Sequence, residues 1–185
     1  MEKDRKFLAQ RGRYKGLIVY KKAECIYDIT YYFTHNYIAV GDRTADQMLQ
    51  AARSGKQNIV EGLSASTTSR ETEIRLINVA KSSFKELLED YEDYLRVRDL
   101  ELWSVDSEKA EQTRKVCKEQ NSSAYYREAI KMRSDETIAN IALVLLHQED
   151  YLLKCLFEKL KRDFKEDGGV KEEMYQVRKN ARKKW

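Results

Sequence analysis

Apolar residues recur at alternating spacings of four and three along most of this chain, the period of an amphipathic α-helix. Val19, Ala23, Ile26, Thr30, Phe33 and Tyr37 form one such seam and predict a helix over 16–37. Tyr20, Tyr27, Tyr31 and Tyr32 lie off it, widening the buried face or forming a second contact surface. Gly41-Asp42 interrupts the pattern, and Asp42 or Thr44 can cap a second helix over 45–63. There Met48, Ala52, Gly55, Ile59 and Gly62 make a seam of mostly small side chains. Gly inside a helix costs about 0.5–1 kcal/mol relative to Ala, so this seam predicts the close approach of another helix.

The polar run 64–69 is a connection, and Thr68 with Glu71 fits a capping box for a third helix over 69–98. Ile77, Ala80, Phe84, Leu87, Tyr91 and Tyr94 carry its seam. From 99 to 133 the pattern weakens. Leu100, Leu102 and Trp103 suggest an apolar clip folding back on the helices, and Asp106 or Ser107 can cap a short charged helix ending near Cys117. Tyr125-Tyr126 form an aromatic pair with no assigned role. Ser134 then caps a helix over 135–165 whose segment 141–146 is apolar all round and so requires more than one neighbour. Gly168-Gly169 ends it. Val170, Met174, Val177 and Ala181 predict a last amphipathic helix.

These elements imply an all-α protein: an antiparallel up-down four-helix bundle over 16–165, a basic arm over 1–15 and a basic suffix helix over 166–185. The chain contains no proline, which leaves long helices uninterrupted. No Asn-Gly or Asp-Gly turn separates alternating segments, apart from Asp167-Gly168 at a helix end.

Charge divides the chain. Residues 1–22 carry eight Lys/Arg against two acids, residues 178–185 carry five against none, and the net charge is only +4. An acidic body with two basic ends attracts phosphates or acidic surfaces. The candidate nucleic-acid contacts are therefore Arg11, Arg13 and Lys15 at one end, and Arg178, Lys179, Arg182, Lys183 and Lys184 at the other. The bland alternative is a pair of solvated termini. Three cysteines without a CxxC spacing give neither a disulfide framework nor a zinc site. No apolar run approaches membrane-spanning length, and the first residues lack a signal-like apolar stretch, so the expected location is cytoplasmic.

Catalytic signatures are missing: there is no phosphate loop, HExxH or GxSxG, and no cofactor is expected. His147, Gln148, Glu149 and Asp150 sit close together on one helix, but a di-metal carboxylate site needs Glu-x-x-His on two helices. They read as surface or interface groups, and no metal is expected. Cys25 and Cys155 read as core filling. Asn58 and Glu61 flank the small-residue seam. They form either a polar site or, with Arg53, a buried network that sets specificity; the bland alternative is that they satisfy helix ends and interhelical hydrogen bonds.

Ala51-Ala52-Arg53-Ser54 followed by Asn58-Ile59-Val60-Glu61-Gly62 resembles the second-helix signature of the four-helix bundle proteins associated with 23S rRNA intervening sequences. Gly55-Lys56 stands where that pattern has Ile-Pro. Residues 69–95 resemble its third helix. Glu92-Asp93-Tyr94-Leu95, Leu102-Trp103, Asn140, Leu145, Tyr151-Leu152-Leu153, Phe164, Gly168-Gly169, Arg178 and Arg182 resemble the subgroup with a suffix segment. The resemblance implies a ring-forming bundle, often of five subunits. It also implies a likeness to the accessory protein of diversity-generating retroelements, a basic ring that binds nucleic acid and a reverse transcriptase. The combined expectation is a non-enzymatic homo-oligomer, a pentamer by resemblance, that binds RNA, DNA or a nucleoprotein partner through its basic ends. The excess apolar surface of 141–146 and the off-seam tyrosines point to self-association as well. The alternative is a protein–protein interaction scaffold with no nucleic-acid role.

Overall fold

The computed structural model describes residues 14–170 together with 172, 174, 175, 178 and 179, apart from the side chain of Asp167. Among the described residues the chain is all-helical, without a strand. A 3-10 turn at Tyr14–Gly16 leads into α1 (Ile18–Tyr37), followed by α2 (Arg43–Ala65), α3 (Arg70–Arg96), α4 (Glu108–Glu119), α5 (Ser123–Ala129) and α6 (Asp135–Asp167). No helix in these residues is long and apolar enough to cross a membrane.

Side-chain caps set the helix starts. Asp42 accepts from the Thr44 amide at 2.9 Å and opens α2 two residues ahead of the expected boundary. At α3 the cap is Ser69, not Thr68: Ser69 Oγ accepts from the Thr72 amide and donates to Glu71, while the Thr68 hydroxyl turns back to Ala65 O. Ser107 caps α4 and Ser134 caps α6. Gly168, at φ 75°, closes α6 in a conformation that suits glycine, its amide bonding Phe164 O at 3.0 Å.

Among the described residues the longest helices, α1, α2, α3 and α6, pack on one another. α2 packs against α1 and α3, and α6 packs against the same two. Gly62 faces Leu76 while Gly55 faces Phe84, so α2 and α3 run antiparallel. Arg70 near the start of α3 bonds Gly168 O at 2.8 Å past the end of α6, and Tyr94 near the end of α3 bonds Asp135 at 2.9 Å. These two helices are antiparallel as well. Phe33 of α1 meets Tyr91 of α3 at a tilt and Tyr94 edge-on, with ring centroids 5.0 and 4.6 Å apart, and the Tyr91 hydroxyl donates to Thr30 Oγ1 at 3.1 Å, so α1 and α3 also meet across the interior. This arrangement puts the beginning of α1 and the end of α6 at one end of the molecule, where Leu17, Lys159 and Asp163 line a common cavity of about 360 Å³.

The apolar segment 141–146 finds its extra neighbours within the chain. Five of its six residues are buried and Val144 is half-buried, with α1, α3 and α4 all packed on α6. Of the off-seam tyrosines only Tyr31 is exposed, at 50%; Tyr20, Tyr27 and Tyr32 pack against the core. The surplus surface that suggested self-association is thus largely consumed internally. Asn140 ties down the clip: its side chain donates to Glu101 O at 2.8 Å and accepts from the Trp103 amide at 2.9 Å. Leu102 itself remains 55% exposed. Cys155 is exposed rather than core filling. It follows the buried Leu153 by two residues, about 200° around the helix, and so points away from the core.

Candidate functional site

An apolar recess lies where α1, α4 and the middle of α6 meet the 102–105 segment, a cavity of about 710 Å³. Its walls are Ile18 of α1, Leu102, Trp103 and Val105 of the connection, and Leu143, Val144 and Leu152 of α6. α4 holds one side because Gln148 Nε2 donates to Arg114 O at 3.1 Å. Lys22, Arg114, Lys118 and His147 bring positive or protonatable groups to the lining, which contains no Asp or Glu. Neither Arg114 nor Lys118 has a carboxylate within ion-pair distance among the described residues.

Lys22 is the unexpected member. It lies between Val19 and Ile26 on the buried stripe of α1 and is only 2% exposed. Its ammonium donates to Cys117 O and to Asn121 Oδ1 at 3.0 Å, fastening the end of α4 to α1. Burial lowers its pKa, while the nearby Cys117, Cys25 and Glu149 push the other way. Behind it Glu149 is fully buried, and neither carboxylate oxygen has a hydrogen-bond partner. Burial raises its pKa well above the ordinary carboxyl range, with Lys22 offsetting part of the rise. A neutral acid is what such a site favours, because an isolated buried carboxylate is far costlier than a buried carboxyl group. Burial likewise pushes the Cys25 thiol up to about 12 and raises Cys117, so both are held as thiols. Tyr126, whose role the sequence left open, is buried beside Cys117 and donates to Gln120 O at 3.0 Å.

Two polar atoms on residues of the cavity lining also lack protein partners: the indole Nε1 of Trp103 and the side-chain oxygen of Gln148. No group of three or more His, Cys, Asp or Glu side chains among the described residues could hold a metal ion.

The expected site residues separate into three groups. Arg178 and Lys179 are exposed on helical backbone, and Lys15 is exposed in the 3-10 turn. Arg11, Arg13, Arg182, Lys183 and Lys184 lie outside the described residues. The expected network of Arg53, Asn58 and Glu61 does not form. Asn58 donates to Ser54 O and Oγ at 2.9 and 3.2 Å, and Ser54 pairs with Ser83 of α3 at 3.0 Å. Arg53 and Glu61 are exposed. Each is one residue from the seam positions Ala52 and Gly62, and so turned about 100° off the buried line. Arg53 lines an open groove of about 820 Å³ between α2 and α3, together with Tyr27, Ser54, Ser83, Glu86 and Asp90.

The quartet 147–150 also divides. His147 and Asp150 are exposed, Asp150 pairing with Lys81 at 3.6 Å, but Glu149 is core rather than surface. The signal for this was available: Ile138, Ala142, Leu145, Glu149 and Leu153 continue one seam at spacings of four, three, four and four. Lys22 could be found in the same way. Arg114 and Lys118 carry no such signal, since only the docking of α4 brings them to the cavity.

Comparison with protein-family models, with curated proteins and with solved structures gave no significant match.

Proposed function

We propose that this chain is a non-enzymatic binding protein, an up-down four-helix bundle of the kind it resembles. On this reading its two basic ends together engage nucleic acid phosphates or a nucleoprotein partner. The observation that carries this reading is the position of the ends. α1 begins and α6 finishes at the same end of the molecule. The described chain enters α1 just after Lys15 and leaves α6 at this same pole, and on this reading the two basic clusters that are separate in sequence act from one end of the body. Such clustering raises the local concentration of phosphate and strengthens contacts that would be weak singly.

Self-association into a ring remains part of the proposal through the resemblance to the 23S rRNA intervening-sequence proteins. It no longer draws on the 141–146 segment. Assembly would multiply the basic poles and make nucleic-acid binding concentration-dependent.

The experiment compares full-length protein with a truncation after Val177, titrated with labelled RNA and DNA at two salt concentrations while light scattering follows mass. Phosphate contacts predict a log–log salt slope near −0.9 per contact on duplex, flattened by the truncation and similar across sequences. Equal affinity and equal slope for both forms would refute the role of the basic end. A 21.9 kDa species at every concentration would refute the ring.

A further inference from the structure

The recess between α1, α4 and α6 has the volume of a small-molecule site, and its features select one class of occupant. A cavity of about 710 Å³ falls within the roughly 300–1,000 Å³ range of such sites. Apolar side chains dominate its walls, yet it is not a uniformly greasy patch. Lys22, Arg114 and Lys118 contribute cations, no carboxylate lines it, and neither Arg114 nor Lys118 forms an ion pair among the described residues, Glu111 acting on Arg114 only through space. The Lys22 ammonium uses two of its three donors on Cys117 O and Asn121 Oδ1, which leaves one N–H. Trp103 Nε1 adds a donor without an acceptor in the protein. Ile18, Leu102, Val105 and Tyr151 around the recess are 43%, 55%, 72% and 66% exposed, a cluster of large apolar groups facing solvent.

We propose that this recess binds an amphipathic organic anion, a medium-length alkyl chain ending in a carboxylate, with the chain between Leu143, Val144, Leu152 and Ile18 and the head group toward Lys22, Arg114 and Lys118. A cationic or neutral amphiphile would leave the basic lining uncompensated, and a short hydrophilic anion would leave the apolar walls wet. The combination of the two halves selects the occupant. This inference is independent of nucleic-acid binding at the basic pole, because none of its residues lies before Tyr14 or after Val177.

Sodium decanoate, below its micellar concentration, is titrated calorimetrically into the full-length protein. Decanol and decyltrimethylammonium are the matched neutral and cationic probes, and octanoate the shorter one. One site per chain is expected, with decanoate about tenfold or more tighter than decanol and the cation weakest. Burying two more methylenes should make decanoate about fifteenfold tighter than octanoate. Quenching or enhancement of Trp103 fluorescence should track the heat. The Arg114→Ala/Lys118→Ala variant should lose most of the preference for anion over alcohol while keeping the chain-length dependence. Val144→Trp, which fills the recess, should lose both; thermal melts verify that each variant folds. Equal affinity for decanoate and decanol would overturn the proposal. So would several decanoates per chain without saturation, or an unchanged anion preference in the double-alanine variant. A dimer that Val144→Trp disrupts, in a protein that takes up no decanoate, would make the occupant a second copy and would overturn it equally.

Discussion

Replacing Gly55 by Ala tests the tightest contact between helices. A Cβ at this position would lie 2.6, 2.7 and 2.8 Å from Cζ, Cε1 and Cε2 of Phe84. Carbon atoms in ordinary contact sit about 3.5–4.0 Å apart, so the ring must retreat by about 1 Å. Phe84 is 2% exposed and packed in the core, where forced displacement of this kind costs about 1–3 kcal/mol. Ala is the better helix former by about 1 kcal/mol, which offsets part of that cost. The net expectation is a loss of about 1 kcal/mol, or a fall in Tm of about 2–4 °C for a chain of this length. The opposite sign would hold on a helix face open to solvent, so the sign itself is informative. Phe84→Leu removes the obstructing ring edge. In that background Ala at 55 should stabilise by about 1 kcal/mol, which makes the coupling between the two sites about 2 kcal/mol in a urea-denaturation double-mutant cycle. If Gly55→Ala raised stability in the parent protein, or changed it equally in both backgrounds, Phe84 would not be seated on the glycine.

Two further predictions concern the interior and the helix ends. Because burial raises the Glu149 pKa, the folded state holds a proton that the unfolded chain releases near pH 4.3. Stability should therefore be greatest below that pH and fall as pH rises toward the folded pKa, by up to about 1.4 kcal/mol per pH unit from this group. Glu149→Gln, melted from pH 4 to 8, should lose that slope; an unchanged pH profile would show that Glu149 is ionised or solvated in the native protein. Ser69→Ala removes the acceptor for the Thr72 amide and should cost about 1 kcal/mol, whereas Thr68→Ala should be near neutral; reversed effects in thermal melts would return the cap to Thr68.

Spacing alone made the long helices legible, because an a/d seam is repeated often enough to survive local exceptions. Gly55 shows the strength of this reading: a costly residue at a seam position signals a neighbour, and Phe84 is that neighbour. Glu149 shows its weakness. Residue chemistry suggested the surface, while its register placed it in the core, and register won because the helix is fixed by many other apolar residues. Arg53 and Glu61 failed for the converse reason: both are polar residues near an interesting seam but turned away from it. The recess was not legible at all. It is made by α4 docking across a long connection, and α4 has only Ala110 and Cys117 buried to announce that docking. α5, seven residues long and held by Tyr126, was equally invisible to periodicity.

The order in which a ribosome makes these helices gives the wide separation of α3 and α6 a temporal meaning. α2 and α3 are neighbours in sequence and can close on each other as they emerge. The faces of α1 and α3 that α6 covers cannot be closed then, because α6 ends 71 residues after Arg96. At roughly 5–20 residues per second, its full length follows about 4–14 s later. During that interval Tyr94 lacks Asp135, Arg70 lacks the Gly168 carbonyl, and Lys22 waits for both Asn121 and Glu149. A nascent chain of this design is therefore most open to chaperones, or to premature association with another copy, just before its last long helix arrives.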